Sequence, residues 1–195
     1  MEFWFDFASP YAFFAVQDVD AMAARHGRDV AWRPFMLGAA FQVTGMSSFS
    51  QAPLRGDYAR RDWDRIARVR GIPFALPDFH PYNALHPSRA FYWLDECDPL
   101  MAKAFARAAF RAYYQEGADL RDPETVADIA AAQGARRDFA LAAMAAPEIK
   151  DRFRARTEEA LAKGVFGSPF FLVDGEPFWG KRRLTAALFG WPSSS

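Results

Sequence analysis

Apolar and polar positions alternate at the start of the chain. Phe3, Phe5 and Phe7 share one face, and the spacing predicts a strand over residues 2–7. Ala8, Ser9 and Pro10 follow. Ser before Pro signals a helix start, because the hydroxyl can accept a hydrogen bond from a free backbone N–H and the proline ring already has a helical φ. Phe13 or Phe14, Val16, Val19, Met22 and Ala23 then recur at helical spacing, predicting one helix to about Ala24 that closes near Gly27. Residues 29–36 read as a second strand, and a right-handed crossover makes the two strands parallel.

From Leu37 to Tyr58 the periodicity is lost. Gly38, Gly45 and serines within 47–50 predict a long polar loop. A helical block follows. Ala59, Trp63, Ile66 and Ala67 fall on one helix face, and a Pro-rich connection through Pro73, Pro77 and Pro81 leads to a helix over 84–96. Asp98-Pro99 and Asp122-Pro123 each cap a further helix, ending at Gly117 and Gly134. A short helix at 136–145 and a longer one from Pro147 to Gly164 complete the block. Phe170 to Val173 is a β run, Asp174-Gly175 is a two-residue hairpin signal, and Glu176 to Trp179 returns. Leu184 to Phe189 reads as a last short helix, and residues 192–195 as a frayed tail.

The order β-α-β, helical block, β-β-α is an α/β architecture of the thioredoxin type with an all-helical insertion. It divides the chain into a thioredoxin-like domain, residues 1–37 and 164–195, and a helical insertion domain, residues 38–163.

Composition narrows the chemistry. The chain has 195 residues, 51% hydrophobic, with 24 basic residues against 24 acidic ones. That balance predicts neither a nucleic-acid footprint nor an anionic membrane surface as partner. The 20 phenylalanines suit a large core or an apolar pocket. Cys97 is the only cysteine, so an internal disulfide and a CxxC redox pair are excluded. Its position within a helix predicts an inert buried thiol. The N-terminus has no basic residue before its apolar stretch, unlike a signal peptide, and no apolar run reaches the length of a bilayer span, which together predict a cytoplasmic protein. His26, His80 and His86 lie too far apart along the chain for metal-ligand spacing and predict surface or connecting-loop roles. The α-helix over 55–70 pairs Asp57 with Arg61 and Asp64 with Arg68 at i, i+4, a solvated salt-bridged face.

In a thioredoxin-type fold the first strand ends at the start of the first helix, where unpaired N–H groups favour an anion, above all a thiolate. The residues here are Ser9-Pro10-Tyr11-Ala12. Ser9 is either an N-cap alone or a hydrogen-bond donor to a thiolate carried by a small molecule. It has no base beside it in sequence to make it a nucleophile. Gly167-Ser168-Pro169 precedes the strand at 170, where such folds place a cis-proline facing that helix. The backbone before it can pair with an extended ligand as a strand would.

Four stretches, Asp6-Phe-Ala-Ser-Pro-Tyr-Ala12, Arg33-Pro-Phe-Met-Leu-Gly38, Gly71-Ile-Pro-Phe74 and Gly164-Val-Phe-Gly-Ser-Pro-Phe-Phe-Leu-Val-Asp-Gly-Glu-Pro-Phe-Trp-Gly180, resemble the 2-hydroxychromene-2-carboxylate isomerase family, a DsbA-like relative of kappa-class glutathione transferases. The resemblance covers essentially the whole chain. It implies glutathione as cofactor, lying along Ser168 and Pro169 with its sulfur near Ser9 and with Trp179 and Gly180 beside it. It also implies an aromatic carboxylate substrate isomerised by thiolate addition, bond rotation and elimination. Tyr11 and Trp179 would line the cleft or pack in the core, Asn83 would reach substrate or cap a helix, Arg55 and Arg182 would contact anions, and no metal is required. A homodimer is compatible with it.

Three positions depart from the family pattern, one of them Arg55, where members carry Lys. Met46 follows Thr44-Gly45 where members carry Asn, and Arg182 replaces the Asp that would receive the γ-glutamyl ammonium of glutathione. A cation there repels an ammonium. A weakened glutathione site, a different thiol or anionic ligand, and a changed substrate all stay open. So do a kappa-like glutathione transferase and a non-catalytic binding protein that has lost the ligand.

Overall fold

The computed structural model describes residues 1–180. The expected helix at 184–189, the tail at 192–195 and Arg182 lie outside them.

β1 (Glu2–Phe5) forms the centre of a four-stranded mixed sheet ordered β2-β1-β3-β4. β2 (Ala31–Pro34) pairs parallel with β1, placing Phe3 against Trp32. β3 (Phe170–Val173) pairs antiparallel with β1, and β4 (Glu176–Trp179) antiparallel with β3. The fold is thioredoxin-like, with many helices between β2 and β3.

Strand alternation sorts the sheet's two faces, and both are buried. Phe3 and Phe5 stack on each other and Phe3 on Phe171, within a large aromatic core that includes Trp32, Phe91 and Phe110. Trp4 points the other way, into a smaller cluster with Phe35, Ala40, Ala160, Val165 and Phe170. Side chains of successive strand residues must face opposite sides, so covering both faces explains a strand that is apolar almost throughout.

The helix expected from Pro10 to Ala24 is broken. α1 (Pro10–Ala15) ends at Val16, and α2 (Val19–Ala24) begins after Asp18, whose φ is −146°. Side chains take the carbonyls freed at the break. Gln17 donates to Phe13 O, Arg70 Nη1 to Phe14 O at 2.5 Å, and Arg107 Nε to Val16 O. Arg70 also bonds Asp18 at 3.2 Å. Arg70 and Arg107 come from distant segments, which the local pattern does not reveal.

The loop expected over 37–58 is also corrected. α3 (Leu37–Thr44) occupies its first part and stops at Gly45, φ 69°. A short 3-10 turn (Phe49–Gln51) follows, and α4 (Arg55–Arg70) begins. No Met36 side-chain cap exists. The Leu37 N–H instead donates to the Asp6 carboxylate at 2.9 Å and the Met36 N–H to Thr157 Oγ1 at 3.1 Å. Within α4, Ala59, Trp63 and Ala67 are buried as expected. Among the described residues its internal ion pair is Asp62–Arg65 at 2.8 Å, not the expected Asp57–Arg61 or Asp64–Arg68.

α5 (Leu85–Cys97), α6 (Pro99–Glu116), α7 (Pro123–Ala132), α8 (Arg137–Ala145) and α9 (Pro147–Ala162) form the helical block. The Asp-Pro starts behave as their chemistry requires. The Asp98 carboxylate accepts from the Leu100 and Met101 N–H groups, and Asp122 from Glu124. Gly117 closes α6 in the left-handed region. Cys97, expected to be buried, is exposed at the last position of α5. None of the helices among the described residues is long and apolar enough to cross a membrane.

Candidate active site

The turn after β1 and the segment before β3 meet through Ser9 and Ser168. Ser9 caps α1, its Oγ accepting from the Ala12 N–H at 3.2 Å. The hydroxyl proton is donated to the Ser168 carbonyl at 2.8 Å. The Ser168 hydroxyl in turn accepts from the Asp6 N–H at 2.9 Å. The Ser168–Pro169 peptide is cis, and the Pro169 carbonyl accepts from the Gly180 N–H at 3.1 Å. Among the described residues nothing accepts from the Ser168 N–H, so that donor remains for a ligand.

Asp6 ties this arrangement to the next element. It is buried and its Oδ1 and Oδ2 accept from the Ala8 and Leu37 N–H groups. Burial pushes its pKa up to about 6, and the two N–H donors hold it from rising further.

A cleft opens over this point. Its floor is Ala8 to Tyr11 and Phe166 to Ser168. Leu37 and Phe41 of α3, the segment 46–50, Trp63, His80 and Trp179 complete its lining. Ser9 lines it although only 4% exposed, so a ligand would touch the hydroxyl edge-on. Trp179 lies against Gly167 so closely that a Cβ on residue 167 would stand 2.3 Å from the indole nitrogen. The same indole stacks on Phe49 at 6.4 Å and meets Phe166 edge-on, joining β4 to the 46–50 segment. Arg60 Nη2 donates to the Ser50 carbonyl at 2.9 Å, and the Ser48 and Ser50 hydroxyls are 2.8 Å apart, which fixes the 46–50 segment. Gly56 completes the fit: a Cβ there would be 3.0 Å from the Ser50 carbonyl oxygen.

Tyr11 lines the cleft and donates to Asp62 Oδ2 at 3.0 Å, tying α1 to α4. Burial, with the Asp62 charge beside it, pushes its phenol well above the ordinary range, so it stays protonated. Arg55 is exposed at the first position of α4, its guanidinium 5.7 Å from the centre of the Phe49 ring. It stands at the rim, outside the lining. Asn83 is exposed and also outside the lining; the residue before α5 is Ala84, which makes no side-chain cap. Gly180 follows Trp179 at φ 85°. The structure therefore brings Ser9, Tyr11, Ser168 and Trp179 to one cleft, with Pro169 and Gly180 behind its floor, and leaves Arg55 and Asn83 outside it.

Sequence reasoning missed His80. Expected in a connecting loop, it lines the cleft beside Trp63, with Nδ1 3.1 Å from the Tyr113 hydroxyl. Burial pushes its pKa down to about 4, the Arg60 charge adding to the effect. No motif surrounds it; the signal that could have found it is a histidine within the Pro-rich run 77–81.

The DSBA-like thioredoxin domain family model matches residues 1–188. A 2-hydroxychromene-2-carboxylate isomerase of Pseudomonas putida is 28% identical over 189 residues, covering 94% of this chain and 90% of that protein. Glutathione s-transferase kappa 2 of Caenorhabditis elegans is 24% identical, covering 90% of this chain and 81% of its own. A solved 2-hydroxychromene-2-carboxylate isomerase superposes with a TM-score of 0.85 at 25% identity, covering 95% of this chain and 91% of that one.

Proposed function

The chain belongs to the DSBA-like thioredoxin domain family, and from that membership we propose that it is a thiol-dependent isomerase of an aromatic 2-hydroxychromene-2-carboxylate-type substrate, with glutathione as the thiol. The observation that carries the reading is the Ser9–Ser168 pair. A hydroxyl donor and a backbone N–H with no acceptor among the described residues belong to residues lining one aromatic-walled cleft, in a chain whose single cysteine lies elsewhere. The names of the relatives, isomerase and kappa-class transferase, support the same chemistry.

The cleft suits a peptide-like thiol. The absence of a side chain at Gly167 leaves backbone rather than bulk at the floor, and the Ser168 N–H can pair with an amide carbonyl. Bound glutathione would supply a thiolate that adds reversibly to a conjugated double bond. Ser9 has one proton to give. Bonded to the Ser168 carbonyl in the free protein, it must turn toward the sulfur when a ligand takes over the backbone of residue 168. α1 is six residues long, so its dipole is short and direct donors matter more than the helix end. Trp179, Phe49 and Phe166 exclude water from the aromatic ring, and Arg55 at the rim attracts the carboxylate.

Ser9→Ala tests the assignment. We expect kcat for isomerisation to fall about 10²-fold, with a stability loss of about 1 kcal/mol from the missing cap. Unchanged turnover would remove Ser9 from the mechanism. Conjugation of a generic aromatic electrophile faster than isomerisation would instead favour a kappa-like transferase. No melting shift at millimolar glutathione would favour a binding protein that has lost the ligand.

A further inference from the structure

We infer that His80 is a neutral hydrogen-bond donor of the cleft, presenting Nε2–H to the carbonyl oxygen of a conjugated keto-acid substrate on which negative charge collects during isomerisation. The inference rests on the isomerase reading above. It concerns a side chain that neither the sequence pattern nor the motifs placed in the site.

The Tyr113 hydroxyl can donate to Nδ1 or accept from it, and only the first arrangement uses its proton. The Tyr113 side chain is buried, and burial first, with Asp119 adding, raises its phenol far above neutral, so its oxygen carries a proton at any working pH. Among the described residues that proton has His80 Nδ1, 3.1 Å away, as its hydrogen-bond partner. A phenol donating to Nδ1 requires the lone pair there, which leaves the ring's proton on Nε2. Nε2 has no protein partner among the described residues, and it is not among the buried unpartnered atoms. Its N–H is therefore not sealed off, on a ring that lines the cleft together with Ser9, Tyr11 and Trp63.

The surroundings keep the ring uncharged. Trp63 of α4 meets it edge-on, and Tyr113 and Tyr114 of α6 tilt against it. The charge that reaches it is the Arg60 guanidinium of α4, which opposes protonation, as burial does. A ring so reluctant to become imidazolium is a poor base for a thiol and a good fixed donor, since it holds one protonation state through the reaction.

The chemistry gives such a donor a task. When a nucleophile's electron pair enters the conjugated double bond, a carbon–nucleophile bond forms and the π pair moves to the carbonyl oxygen. The former double bond can then rotate. When the nucleophile leaves, that pair returns and the double bond is restored, with no net change in electrons or protons. A donor already aimed at the oxygen stabilises the charged stage more than the ground state. Ser9 cannot serve both ends, having one proton, so His80, a second lining residue, supplies the second donor.

Nitrogen-15 NMR of histidine-labelled protein tests the tautomer without any ligand. At pH 7 His80 should show a protonated Nε2 and an unprotonated Nδ1, and should take up a second proton only near pH 4. Tyr113→Phe should convert it to a tautomer mixture. In turnover, His80→Phe should lose 10²- to 10³-fold in kcat with the glutathione-induced melting shift unchanged. His80→Gln, whose amide can donate, should recover at least tenfold of that loss. Should His80→Phe fold poorly, the Gln and Tyr113→Phe variants carry the comparison. An imidazolium or an Nδ1–H ring at pH 7 overturns the inference whatever the activity. So does His80→Phe turning over at the wild-type rate while Ser9→Ala is impaired, which leaves the isomerase reading standing. Wild-type protein without isomerase turnover overturns that reading first and this role with it, although the tautomer result would still stand as a property of the ring.

Discussion

The two sides of the cleft are built by different means. The sheet side, comprising the β1–α1 turn, the Ser168–Pro169 segment and β4, is specified by residues that act on their immediate neighbours. Ser9 caps the helix it precedes, and Asp174-Gly175 turns the strand it follows, both residues at positive φ. The helical side, α3, the 46–51 segment and the run through His80, is assembled by partners far away in sequence. Asp6 starts α3, Arg60 holds Ser50, and Tyr113 holds His80. The first kind of wall survives as a local pattern; the second exists only when the rest of the chain is in place.

Asp6 joins the two sides, and its titration should have the largest effect. Its folded pKa, about 6, lies above the ordinary 3.8, so the folded state holds its proton more tightly than the unfolded state. Stability from this group is therefore present at low pH and falls as pH rises from about 4 to about 6, by about 3 kcal/mol in total. His80 runs the other way. Its folded pKa, about 4, lies below 6.5, so its contribution is present above the unfolded value and lost as pH falls toward 4. The two oppose each other across one window. Subtracting the stability of Asp6→Asn from that of wild type, by denaturant melts between pH 4 and 6.5, should reveal a difference that declines with rising pH. A flat difference would mean that Asp6 titrates normally.

Glycine substitutions separate the walls further. Gly167→Ala drives a methyl into the Trp179 indole and should cost about 2 kcal/mol while loosening the Phe49–Trp179 stack. Tryptophan fluorescence together with urea melts reads both. Gly56→Ala is the counterpart on the helical side. There the methyl meets a backbone oxygen of a short turn, and better helix propensity offsets part of the clash. A loss of about 1 kcal/mol is expected, and a loss exceeding that of Gly167→Ala would reverse the proposed difference in how firmly the walls are fixed.

Much of the fold was legible because caps and turns are short-range devices. Asp98-Pro99 satisfies the N–H groups two and three residues on, and Gly117 can adopt its left-handed conformation without a neighbour's help. What was not legible shares one cause. The break at Val16–Asp18 needs Arg70 and Arg107 to cap it. α3 carries no cap of its own and buries chiefly Ala40, too little to produce a pattern. Ion-pair choice in α4 followed the carboxylate that Tyr11 had already fixed, Asp62, rather than i, i+4 spacing. Cys97 is exposed because it ends α5 rather than lying within it.

The sequence by itself determined the strands, most helix boundaries and the placing of Ser9 before the first helix and Ser168 before the third strand. Each of these depends on backbone chemistry within a few residues. Tertiary structure alone decided what faces those serines: which carbonyl holds the Ser9 proton, that Asp6 is buried at the start of α3, and that a histidine from a Pro-rich connection turns toward the cleft. Such relations join segments with no sequence separation in common, so the energy that fixes them arises only when the chain has packed.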